Sequence, residues 1–138
     1  MDTSEEVLIL GRHILHAYIE DMDIEPLIDH LAPDVVWLGA GREMNAVGRD
    51  TVARIFRQGK DQLIPCHMSE ERELIYPLDE KLWLVQISAL EETDPSYKMY
   101  LQAYQRCAFV FRKNSEGNWE IAYLNHSIAY EAVKDELS

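Results

Sequence analysis

The order of the predicted elements points to an α+β fold, with three helices packed on a strongly curved, mainly antiparallel sheet around a pocket. Three observations carry this. Two helical segments open the chain, and a short strand and a third helix follow. After Pro65 the apolar period changes from helical to alternating. The chain then runs strand after strand to Trp119-Glu120-Ile121-Ala122-Tyr123-Leu124-Asn125-His126-Ser127, entered through the turn Asn114-Ser115-Glu116-Gly117-Asn118.

Thr3 or Ser4 suits an N-cap, and Glu5 and Glu6 suit the positive end of a helix dipole. Val7, Leu8, Leu10, Ile14, Leu15, Tyr18, Ile19 and Met22 recur at helical spacing, so the first helix is expected over 4–21. Asp23 should cap a second helix, with Pro26 in its first turn, ending near Leu31 before Pro33. Val35-Val36-Trp37-Leu38 reads as a short strand broken by Gly39-Ala40-Gly41, and residues 43–47 as another. Gly48-Arg49-Asp50 leads into the third helix, with Val52, Ile55 and Phe56 facing inward.

Four longer strands are expected over 67–76, 81–91, 97–113 and 119–130, joined by short loops that favour antiparallel pairing. In the second of them Trp83, Val85, Ile87 and Ala89 share the inner face. In the last, simple alternation places Trp119, Ile121, Tyr123, Asn125 and Ser127 inward, and His126 outward. Leu82, Leu84, Leu90, Ala122 and Leu124 then leave apolar area on the outer face, which predicts a homodimer through that face.

The chain has 138 residues, which suits one domain with a core over about 4–130 and a tail over 131–138. Its net charge of −12, from 25 acids against 13 bases, argues against nucleic acid and anionic membrane surfaces. No apolar run could span a bilayer, and the acidic start Met1-Asp2-Thr3-Ser4 lacks the basic region of a signal peptide. A cytoplasmic protein is the expectation. Lys134-Asp135-Glu136-Leu137 is followed by Ser138, so it is not a terminal retention signal. Cys66 and Cys107 are expected as thiols, and no zinc spacing is present.

His16-Ala17-Tyr18-Ile19, the stretch from Leu27 to Trp37, Val47-Gly48-Arg49-Asp50, and Phe109-Val110-Phe111 through Trp119-Glu120-Ile121 together resemble the nuclear transport factor 2-like superfamily. That group includes ketosteroid isomerase, scytalone dehydratase and the SnoaL-like polyketide cyclases. The resemblance covers about residues 8–127 and implies a cone-shaped, cystatin-like fold. It also supplies a residue-level test. Ketosteroid isomerase uses a carboxylate base, with a Tyr and a protonated Asp as oxyanion donors. The Tyr falls on Tyr18, but the base falls near Gly39 and the protonated Asp near Cys107, so that chemistry is not expected. The closing Trp-x-Ile…His-x-Ser strand more loosely resembles that of ligand-sensing modules.

The reading is therefore a non-catalytic, mostly apolar pocket for a small organic ligand, with no cofactor, no metal and no catalytic residue. Its expected wall is Tyr18, Trp37, Phe56, Val85, Ile87, Gln105, Cys107, Tyr123, Asn125 and Ser127. The alternative is a SnoaL-like isomerase, cyclase or dehydratase using Tyr18 with His126 or a further Asp or Glu. A third possibility is a dimerisation module whose pocket is filled by side chains. His13 and His16, with Glu20 near, read as solvated surface groups, and His30 as a helix-end residue. Glu70-Glu71-Arg72-Glu73 and Glu91-Glu92 read as solvated strand and loop charge.

Overall fold

A computed structural model describes residues 1–129; the tail expected over 131–138 lies outside the described residues. The first helix, α1, spans Thr3–Glu20, and its N-cap is Asp2 rather than Thr3 or Ser4. The Asp2 carboxylate accepts from the Glu5 amide at 2.9 Å, and Ser4 donates its hydroxyl to the same oxygen. Gly11 lets this helix lie close on the sheet: a Cβ there would sit 3.2 Å from Val85 and 3.6 Å from Phe111. Helix α2 is shorter than expected, Glu25–Asp29, with Ile24 at its N-cap; Asp23 still accepts from the Glu25 amide.

The first strand, β1, begins at Leu31 rather than Val35 and runs to Leu38. Its pairing is interrupted between Leu31 and Val36, which accommodates Pro33. Strand β2 is Asn45–Val47, α3 is Arg49–Gly59, and a single 3-10 turn follows at Lys60–Gln62. The long strands are β3 (Cys66–Asp79), β4 (Leu82–Thr93), β5 (Gln102–Lys113) and β6 (Trp119–Ala129).

They form a six-stranded sheet in the order β2-β1-β6-β5-β4-β3. Only the β1–β6 pair is parallel, so the sheet is mixed but mainly antiparallel, as expected. The helices cover one face. The core between them contains Val7 and Ile14 from α1, Val52 from α3, and Val85, Ile87, Phe109, Phe111 and Ile121 from the sheet, all essentially without exposure. Burying such side chains contributes roughly 1.5–3 kcal/mol each.

Three bulges interrupt the pairing of the long strands. Two lie on β3, one between Ser69 and Arg72, where Glu70 has a φ of 52°, and one between Pro77 and Asp79. The third is on β6. Ile121 pairs with Phe111 and Tyr123 with Val110, so Ala122 is the extra residue. A one-residue slip exchanges the faces of every later side chain. The simple alternation expected for β6 is thereby overturned: Leu124 and His126 pair with the inward-facing Phe109 and Cys107, while Tyr123, Asn125 and Ser127 pair with the outward-facing Val110, Ala108 and Arg106.

Candidate functional site

The inner faces of β5 and β6 meet α1, α2, β1 and α3 around a hollow of about 80 Å³. Helix α1 contributes Ile14, Leu15, Tyr18 and Ile19 at helical spacing, and α2 contributes Leu27. Trp37 comes from β1, Gly39 and Met44 from the loop after it, and Phe56 from α3. Alternate residues of β5 and β6 supply Cys107, Phe109, Leu124 and His126. Phe56 stands edge-on to both Tyr18 and Trp37, with ring centroids 5.6 and 5.5 Å apart.

Of the wall expected from sequence, Tyr18, Trp37, Phe56 and Cys107 line this hollow. Val85 and Ile87 are on the inner face but fully buried in the core behind it. Gln105 lies on the inner face of β5, two residues from Cys107, and its Oε1 is buried with no hydrogen-bond partner among the described residues. Tyr123, Asn125 and Ser127 lie on the outer face, where Asn125 donates to the Tyr123 hydroxyl at 3.0 Å. The Ala122 bulge is the reason, and it brings in His126 in their place.

Gly39 and Cys107 both face the hollow, so the positions matched to the isomerase base and acid are correctly placed and carry neither group. A side chain at Gly39 is also blocked: a Cβ there would lie 2.8 Å from Trp37 and 2.9 Å from Met44. Burial pushes the Cys107 thiol far up and away from thiolate, with Glu91's charge adding to it.

Glu91 is the buried inner-face carboxyl that sequence reasoning missed. It was expected as solvated charge beside Glu92. Strand β4 instead continues its alternation past Ala89, and Glu91 is only 7% exposed on the inner face. No hydrogen bond or ion pair reaches its carboxyl among the described residues. Burial raises its pKa to about 7. Its charge acts on two groups of the hollow's wall. The Tyr18 hydroxyl is raised by burial and then by Glu91, and the Cys107 thiol in the same way. Cys66 on β3 feels it too, after burial. The signal was present in the sequence as one more step of the Val85, Ile87, Ala89 series.

His126 is lowered by burial and so is held neutral near pH 7. The hollow thus has an aromatic and aliphatic body with Tyr18 and His126 as polar lining, while Glu91 and Gln105 lie on the inner sheet face outside that lining. Such buried polar groups ordinarily find partners, and each left unpaired costs roughly 1–3 kcal/mol.

Other titratable clusters are occupied within the fold. His16 is not a solvated surface group: its ring bonds Glu20 and Glu71, both at 2.8 Å, and Glu20 also accepts from the Met68 amide. Burial opposes protonation of His16, but these two carboxylates outweigh it and raise its pKa. With the Arg12–Glu71 pair at 3.1 Å, this ties α1 to the β3 bulge. His30 does end its helix, bonding the Pro26 carbonyl at 2.6 Å. No group of three His, Cys, Asp or Glu side chains among the described residues converges as metal ligands do. A wider open groove of about 780 Å³ lies beside the 114–118 turn, but its Glu6, His30 and Arg49 bond Trp119, Pro26 and Leu31.

The SnoaL-like domain model matches residues 13–131. The chain belongs to the SnoaL-like domain family. The solved structures agree on the fold. A ketosteroid isomerase-like protein from Erwinia carotovora atroseptica is 20% identical, with a TM-score of 0.76 over 95% of this chain and 100% of its own. A cystatin-like domain of unknown function from Nostoc punctiforme is 15% identical, with a TM-score of 0.74 over 99% of this chain and 85% of its own. An NTF2-like protein of unknown function from Pseudomonas putida KT2440 is 16% identical, with a TM-score of 0.72 over 95% and 89%. No curated protein matches the sequence. Among the described residues no helix of this SnoaL-like chain is long and apolar enough to cross a membrane.

Proposed function

We propose that the protein binds a small, mostly apolar organic molecule in the hollow between α1, α3 and the inner sheet face. The observation that supports this most is the wall itself. Trp37, Phe56, Phe109, Leu124 and Met44 enclose an apolar space, and the Tyr18 and His126 side chains, without hydrogen-bond partners among the described residues, give it a polar end. Thermal-shift screening of small organic molecules tests the reading, because a specific ligand raises the melting temperature with the logarithm of its excess. Phe56→Trp, which fills the hollow, should abolish every shift. If no compound shifts the wild-type melting temperature, the third possibility, a filled dimerisation module, takes its place.

The same reading includes a homodimer through the outer sheet face. Tyr76, Leu84, Val110 and Tyr123 fall in one register row across four strands, with Leu74 and Ala108 in the next. Tyr76 and Leu74 are 58% and 50% exposed. Beyond these rows lie Arg72 and Arg106 on one side, and on the other Asp79 and Glu120 with Arg112 between them, its guanidinium bonded to Asp34. A two-fold axis between the apolar rows sets the arginines of one copy over the acids of the other. Light scattering should give a dimer for the wild type and a monomer for Leu84→Glu; a wild-type monomer removes the dimer.

A second reading is proton-transfer chemistry of the isomerase, cyclase or dehydratase kind, and one observation favours it. Glu91 combines burial with a pKa of about 7, near the optimum for a general acid or base at neutral pH. Catalysed exchange of a bound ligand's C–H with deuterated water, lost in Glu91→Gln, supports it. Binding without exchange leaves the hollow a receptor.

A further inference from the structure

The hollow is small for an organic ligand, and one of its walls is a side chain able to move. At about 80 Å³ it lies well under the roughly 150 Å³ of an apolar cavity that takes benzene. Among the described residues, Met44 is the one side chain of the lining that is exposed, over 48% of its surface. It lies along two glycines. A Cβ at Gly39 would come 3.1 Å from its methyl carbon, and a Cβ at Gly41 would run into its sulfur. The backbone around it is fixed. The Gly39 amide donates to the Met44 carbonyl at 2.7 Å, the Met44 amide donates to the Gly41 carbonyl at 3.1 Å, and Asn45 pairs with Leu38. The side chain is held by far less. The Gly41 amide donates to its sulfur at 3.2 Å, and a thioether is a weak acceptor. Three rotatable bonds and half-exposure let such a side chain change rotamer readily. Its four heavy atoms, at roughly 30 Å³ each, take up about 120 Å³. With Met44 withdrawn, the hollow and the vacated space together reach roughly 200 Å³.

We propose that Met44 is a displaceable plug, and that the site it opens takes an uncharged one-ring aromatic molecule bearing a hydroxyl group. The proposal rests on the ligand-binding reading above and names the ligand class and the way in. The body of the site is aromatic. Phe56 stands edge-on to Tyr18 and Trp37, and Phe109 completes the ring-lined wall. A further ring gains edge and face contacts there beyond the area it buries. Tyr18 and His126 are the polar groups of the lining, and they can donate to and accept from a ligand hydroxyl. No Lys, Arg, Asp or Glu lines the hollow, so a charged ligand would lose its hydration with nothing to replace it.

Phenol, cyclohexanol and benzoate test this on the full chain at pH 7, by calorimetry and by carbon-13 NMR of methyl-labelled methionines. The chain has five methionines, and Met44 is assigned by the signal that Met44→Ala removes. The expected order is phenol first, cyclohexanol weaker by about threefold or more, and no detectable benzoate binding. Phenol should move the Met44 methyl signal to the position of a solvated methionine. Met44→Ala should bind phenol about fivefold more tightly, because no side chain has to be displaced. Phenol bound with the Met44 signal unmoved, or no more tightly by Met44→Ala, overturns the plug and leaves the ligand-binding reading standing. Binding to Met44→Ala alone does the same, since Met44 is then a fixed wall. Cyclohexanol or benzoate bound as tightly as phenol overturns the ligand class. No binding of any probe to either protein overturns the whole proposal, and the thermal-shift screen then decides the ligand-binding reading by itself.

Discussion

Strands β4 and β6 carry titratable groups into the interior by opposite routes. Strand β4 keeps strict alternation from Val85 through Ile87 and Ala89 to Glu91, and that regularity carries a carboxyl into the interior. Strand β6 breaks alternation at Ala122, and the break carries an imidazole inward while Tyr123, Asn125 and Ser127 turn out. Register alone decides which of these groups leaves water. Both titrate abnormally for the same reason, desolvation, with opposite signs: the acid is raised and the imidazole lowered.

The largest effect should come from erasing the difference. Deleting Ala122 restores simple alternation and forces either Trp119 and Ile121 or Leu124 and His126 out of their inward positions. The loss should be about 4 kcal/mol or more, enough to remove cooperative unfolding at 25 °C. A deletion variant melting within a few degrees of wild type would show that Ala122 is not the hinge of the register.

The next effect isolates β4. Glu91 is raised above its unfolded value, so the folded state holds the proton more tightly. Stability is therefore greatest at low pH and falls as pH rises from about 4.5 to about 7. Glu91→Gln should stabilise the protein by about 2–3 kcal/mol at pH 8 and by little at pH 5, by denaturant unfolding at both values. The neighbouring Glu92→Gln, on the outer face, should stay within about 0.5 kcal/mol at either pH. Similar behaviour of the two variants would place both carboxylates in water.

The smallest effect isolates β6. His126 is lowered, so its contribution is lost as pH falls below its ordinary range and the buried ring must charge. His126→Leu should melt close to wild type at pH 8 and a few degrees higher at pH 5. No difference at pH 5 would mean that the imidazole reaches solvent.

The helices, the succession of strands along the chain and the inner face of β4 as far as Ala89 were legible because apolar periodicity is a local signal; the parallel β1–β6 pairing was not. So was the placement of Tyr18, Trp37, Phe56 and Cys107, which follow from helix and strand spacing. Two features were not. Glu91-Glu92 looks like any solvated acid pair, and only the length of β4, set by its pairing with β3 and β5, separates their fates. The bulge at Ala122 has no residue signature such as a glycine and shows only in the register of β6 against β5. Asp2, rather than Ser4, caps α1 for a smaller reason of the same kind: consecutive acceptors compete for one amide, and geometry chooses.

The account turns on a carboxyl buried on the inner sheet face with no cation beside it among the described residues. Carbon-13 NMR of the Glu91 side chain, titrated in the full chain from pH 4 to pH 9, tests this most directly. The structure predicts a midpoint at about 7. A midpoint at the ordinary carboxylate value near 4.5 would put Glu91 in water or beside a positive group, and its proposed acid–base role would fall with it.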